Sequence, residues 1–186
     1  MKPGARALGV AESYRENHST LAGTVVRADR VVDGFVFGSC TVGGSDATDA
    51  VCTLVARLDR EDVQYLLVAG IAPAWYNVLD LWEIHERTGL PVLSVSFEES
   101  DGLVEAIRSA FDGTARQRRL ARYRAQPDRQ PVAVGEDTVY VRSVGPVDAP
   151  ATVRAFTPAG GRPEPVRVAR QAARAVDSFR RECELL

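Results

Sequence analysis

The spacing of apolar residues changes character at Gly43–Gly44, and that change narrows the folds open to the chain. Ala7–Val10 is a short apolar run ending in the polar segment Glu12–Thr20, which predicts a buried strand leading into a loop. Leu21–Arg27 and Val31–Val42 are rich in Val, Phe and Thr, and Asp29 lies between them, so the pair predicts a β-hairpin. Beyond the glycines, Ser45 or Asp46 can cap a helix in which Ala47, Ala50, Val51, Leu54, Val55 and Leu58 recur at helical spacing. Tyr65–Val68 predicts a short buried strand, and a helix is expected from about Tyr76 to Arg87. Gly89 and Pro91 close that helix, Pro91–Phe97 is a further buried strand, and Gly102–Phe111 is amphipathic.

The order is therefore β-β-β-α-β-α-β-α. Alternating strands and helices require parallel strands joined by right-handed crossovers. Three antiparallel strands followed by parallel β-α units, with flanking helices, is the ribonuclease H-like mixed sheet. The remainder predicts a basic helix at Thr114–Ala125, a second hairpin from Pro131–Val134 and Thr138–Val144, a short helix at Asp148–Phe156 and a last helix from about Val166 to Arg181. Pro165 suits that helix's first turn, where its missing N–H leaves no bond unmade. With 186 residues and no internal boundary, residues 1–186 are expected to form one domain.

Composition excludes little. A hydrophobic share of 45% and a net charge of -2 suit a globular domain and do not decide for or against a polyanionic partner. No apolar run approaches the roughly 18 residues of a membrane span, so no membrane partner and a cytoplasmic location are expected. Cys40, Cys52 and Cys183 are odd in number and scattered, as in reduced thiols. Lys2 is the only lysine, and the remaining cations are arginines, which suit phosphate recognition but also follow from a biased genome. No nucleophile-elbow, P-loop, dinucleotide or zinc spacing is present.

Three stretches carry a resemblance: LGVAES at Leu8–Ser13, VAGIAPAWYNVLD at Val68–Asp80, and GRPEPVRVA at Gly161–Ala169. Together with GGSDAT at Gly43–Thr48, they resemble the archaeal family called domain of unknown function ninety-nine, an endonuclease V-related family. The resemblance runs from about Leu8 to Arg174 and implies an endonuclease V-like, ribonuclease H-like domain. Endonuclease V cuts near inosine with a divalent metal, held by aspartates on the first strand and on the strand after the first helix. At the matching positions this chain has Ala11 and Ala69.

Magnesium-assisted phosphodiester cleavage needs several carboxylates converging on the ion, and a methyl group cannot ligate it. No metal and no cofactor are therefore expected. Magnesium enters only if the site has been rebuilt around Glu12, Asp46 and Asp80, the candidate catalytic acids. Asp46 and Asp80 have an alternative role as helix-start carboxylates. Arg116, Arg118, Arg119, Arg122 and Arg124 form an acid-free cluster, and Arg167, Arg170, Arg174 and Arg181 form a helical stripe. Both are phosphate-binding surfaces or ordinary solvated faces. Trp75 and Tyr76 can stack on a base or cover the sheet edge.

Three functions remain open. One is a catalytically degenerate protein that binds nucleic acid through Trp75, Tyr76, Asn77, Arg162 and Arg167. Another is a nuclease with the rebuilt site. The last is a non-enzymatic partner-binding or homo-oligomeric protein.

Overall fold

The computed structural model describes residues 1–158 and 160–184. Its centre is a seven-stranded sheet in the order β3-β2-β1-β4-β5-β7-β6. The strands are β1 (Arg6–Arg15), β2 (His18–Arg27), β3 (Val32–Thr41), β4 (Tyr65–Ala69), β5 (Val92–Ser96), β6 (Gln130–Val134) and β7 (Asp137–Val144). β1 runs antiparallel to β2 and parallel to β4, β4 is parallel to β5, and β7 returns antiparallel beside β5. This is the expected mixed sheet.

Each sheet face has its own core, because side chains alternate along a strand. Leu8, Val10, Leu66 and Val68 point to one face, beneath Leu54 of α1 (Ala47–Leu58) and Ile84 of α3 (Leu81–Thr88). Ala7, Ala11, Leu67 and Leu93 point to the other, beneath Phe156 and beneath Ala169, the latter on α7 (Glu164–Glu184). Burying one such leucine contributes roughly 1.5–3 kcal/mol. Two further helices, α4 (Val104–Ala110) and α5 (Gly113–Arg124), precede the second hairpin, and α6 (Ala149–Ala155) follows it. No described helix is long and apolar enough to cross a membrane.

Two local expectations are corrected. The segment Glu12–Thr20 is not a loop: β1 and β2 pair without interruption from Arg6↔Arg27 to Arg15↔His18. The hairpin's far end is polar because it extends past the core, and the ladder hydrogen bonds hold it there. The helix expected from Tyr76 is also interrupted. Pro73–Tyr76 forms a single turn, α2, and α3 begins only at Leu81. Between them Asn77 is fully buried.

A basic cleft at the ends of β1, β4 and β5

Parallel strands leave a crevice beyond their carboxyl ends, where the connecting loops diverge. Here it is a cleft of about 490 Å³, bordered by Glu12, Ala69–Pro73, Ser94–Glu98, Tyr123, Arg129, Tyr140, Arg142, Arg162 and Arg170. Four arginines thus face two carboxylates, Glu12 and Glu98. Among the described residues none of the four forms an ion pair.

Three of these cations are held by aromatic rings. The Arg129 guanidinium lies 4.4 Å from the Tyr140 ring centre and donates to the carbonyls of Glu98 and Ser100 at 3.3 and 2.8 Å. Arg142 donates to the Pro127 carbonyl and, at 3.1 Å, to the Tyr123 hydroxyl, and it lies over the Tyr123 ring. Arg162 sits 4.5 Å above Phe97. Carbonyls and ring faces orient a guanidinium without cancelling its charge, so the remaining N–H groups stay available to an anion.

The residues present do not fit a divalent metal. Ala11 is buried, and Ala69 lies half-buried at the cleft. A space of only about 10 Å³ separates the surrounding side chains, and apart from Glu12 its lining includes Val10, Ala11, Leu21, Val51, Val68, Ala69 and Leu79. Among the described residues no group of three His, Cys, Asp or Glu side chains is arranged to hold an ion. Glu12 is itself engaged: one oxygen accepts from the Ser19 hydroxyl and the other from the Ala74 N–H, at 2.9 Å in the latter case.

That second bond fixes an unusual turn. Ala74, Trp75 and Tyr76 all have left-handed backbones, with φ of 48°, 55° and 59°. Such a conformation costs a non-glycine residue roughly 1–2 kcal/mol. Glu12 holds the turn at its start. The Gly43 N–H donates to the Ala74 carbonyl at 2.7 Å, and the Asn77 N–H closes on Pro73 at 3.0 Å. Strain of this kind persists only where its surroundings enforce it.

The other candidates occupy different places. Asn77 does not reach the cleft: its side chain accepts from the Ala47 N–H and donates to the Thr41 carbonyl and Asp46, joining the β3–α1 loop to α2. Asp46 also accepts from Thr41. Burial pushes its carboxyl up, but hydrogen bonds from Asn77 and Thr41 outweigh that and leave it below the usual range. Asp80 caps α3 by accepting from the Glu83 N–H. Neither acid lines the cleft with Glu12.

Arg167 is engaged by both carboxylate oxygens of Glu164, at 2.6 and 2.7 Å, and does not line the cleft. Arg162 does line it. Trp75 and Tyr76 stand beside it, packed with Phe111 at ring separations of 5.0 and 6.1 Å. Sequence reasoning did not single out Arg129 and Arg142, and it placed Arg170 only in a stripe. The available signal for Arg142 was a cation within Val139–Val144, where Val139, Val141 and Val144 are apolar.

A family model described as Endonuclease dU matches residues 3–177. The chain belongs to the Endonuclease dU family. Among the similar proteins of this family's kind are the UPF0215 proteins of Pyrobaculum calidifontis and Thermococcus kodakarensis. The first is 32% identical over 177 residues, covering 92% of this chain and 97% of the relative. The second is 32% identical over 187 residues, covering 95% and 94%. A crystal structure of a protein of unknown function from Archaeoglobus fulgidus matches with a TM-score of 0.81 at 25% identity, covering 92% of this chain and 98% of that one. Endonuclease V from Bacillus subtilis matches with a TM-score of 0.60 at 12% identity, covering 96% and 82%. That likeness shows the shared ribonuclease H-like fold. The resemblance read from the motifs agrees with this Endonuclease dU assignment.

Proposed function

We propose that the protein binds the phosphodiester backbone of a nucleic acid in the basic cleft and does not cleave it by divalent-metal chemistry. The observation that carries this reading is Arg129, Arg142, Arg162 and Arg170 facing one cleft, without ion-pair partners among the described residues, beside Ala11 and Ala69. Guanidinium groups suit phosphate oxygens through paired N–H donors, and such contacts release counterions. The structure of Ciona intestinalis endonuclease V in complex with inosine-containing DNA supports a nucleic-acid ligand for a cleft in this fold.

The test is fluorescence anisotropy of labelled strands across salt concentrations. Affinity should fall steeply with salt, and replacing Arg142 and Arg170 by Ala should flatten the slope by about two. Absent or salt-indifferent binding rejects the proposal.

A second reading, a hydrolase rebuilt around Glu12, draws on the family description and on the place of Glu12 at the cleft. It requires deoxyuridine- or inosine-containing strands to be cut with magnesium or manganese, and Glu12→Gln to abolish cutting. Uncut strands leave the binding proposal alone standing.

A further inference from the structure

We infer that the bound polymer is a single strand, which crosses the left-handed turn so that one unpaired base stacks on Trp75 between two basic basins. This rests on the nucleic-acid reading above and adds the class of ligand and its path.

The second basin lies beyond the turn. It measures about 560 Å³ and is bordered by Gly43–Ser45, Val78 and the α5 residues Thr114, Ala115, Arg118, Arg119, Ala121 and Arg122, with no carboxylate among them. Arg119 is committed to structure: it donates to the carbonyls of Tyr76, Gly43 and Gly44 and lies 3.8 Å over the Phe111 ring. Arg118 is exposed and forms no ion pair among the described residues, and Arg122 makes only long contacts of 3.4 Å to the carbonyls of Ser45 and Val78.

Trp75 occupies the ridge between the basins. Pro73 borders the first, and Gly43 borders the second. The indole lies so close over Gly43 that a Cβ there would come within 2.9 Å of it. Phe111 supports it from another side, yet 47% of Trp75 remains exposed. A large aromatic side chain fixed by strained backbone but open to solvent suits a stacking partner. Bases within a duplex are already stacked on their neighbours, so an indole standing between two phosphate-binding surfaces matches an unpaired base.

The experiment compares labelled oligothymidylate of about twelve nucleotides with the same strand paired to oligoadenylate. Trp75→Ala should weaken single-strand binding about tenfold and leave duplex binding within about twofold, while Trp75→Phe restores most of the affinity. Arg118→Ala with Arg122→Ala should weaken single-strand binding and reduce its salt slope by about two. The tryptophans are Trp75 and Trp82, so Trp82→Phe isolates the emission of Trp75, which oligothymidylate should quench. Unchanged single-strand affinity in Trp75→Ala, or no quenching in Trp82→Phe, overturns the path while leaving the cleft proposal intact. If the unaltered protein binds neither strand nor duplex, the cleft proposal falls and takes the path with it.

Discussion

Gly9 on β1 and Pro165 at the head of α7 touch so closely that no side chain fits between them. A Cβ at position 9 would lie 2.6 Å from the Pro165 Cβ and closer still to the Pro165 carbonyl. This contact joins the LGVAES and GRPEPVRVA motifs in space and seats α7 on the sheet above Ala7 and Ala11. Because the obstructing atoms include backbone, they cannot yield as the tip of a flexible side chain can.

Gly9→Ala is therefore expected to destabilise the fold by about 3 kcal/mol, the upper end of ordinary overpacking. Urea unfolding followed by circular dichroism measures it. A midpoint equal to that of the unaltered protein would mean that α7 docks differently.

Glu12 has a structural duty that can be separated from any chemistry. Glu12→Ala leaves the buried Ala74 N–H without an acceptor and should cost about 1–3 kcal/mol. Glu12→Gln retains an amide oxygen for that bond and should cost less. Limited proteolysis at Pro73–Tyr76 should report the same ranking, with Glu12→Ala cut fastest.

Asp46 predicts an acid limb to stability. Its folded-state pKa lies below the unfolded value because hydrogen bonds from Asn77 and Thr41 outweigh burial. The resulting stabilisation is present above the unfolded value, about 3.9, and is lost as pH falls through the lower folded value. Asp46→Asn should lower the melting temperature at pH 7 and melt with a shallower pH dependence below about pH 4. Asp33, Asp62 and Glu164 are shifted down as well, so the difference between variant and unaltered protein isolates Asp46.

The thiols should differ sharply in reactivity. Burial, and then the charges of Asp46 and Glu12, push Cys40 up to about 12, and burial also raises Cys52. Cys183 is exposed. Iodoacetamide at about pH 8 should modify Cys183 first, with Cys40 and Cys52 reacting only through opening of the fold. Peptide mass spectrometry over a time course resolves the order, and early labelling of Cys40 would contradict its buried placement.

Local pattern carried the architecture because strand and helix periods are written into consecutive residues. Leu8 and Val10 alternate with Ala7 and Gly9, Val51 and Leu54 recur at helical spacing, and the order of such runs restricts the sheet topology. The resemblance carried by the motifs implies that Ala11 and Ala69 stand where endonuclease V has metal-holding acids. The extension of β1 to Arg15 was not legible, since a polar hairpin end has no core-facing alternation and is held by pairing with β2. The interruption before α3 was hidden for another reason: Asn77 breaks the helix by bonding to Thr41, Asp46 and Ala47, remote partners that its neighbours do not reveal.

The chain by itself thus determined the order of its elements and the kind of sheet they form, both properties of residue type and short-range spacing. Tertiary structure decided which charges act together. Arg129 lies before β6, Arg142 on β7, Arg162 before α7 and Arg170 within it, and they converge only because β7 folds back beside β5 while α7 crosses the opposite sheet face. Electrostatic attraction depends on distance through space, and sequence separation does not measure that distance.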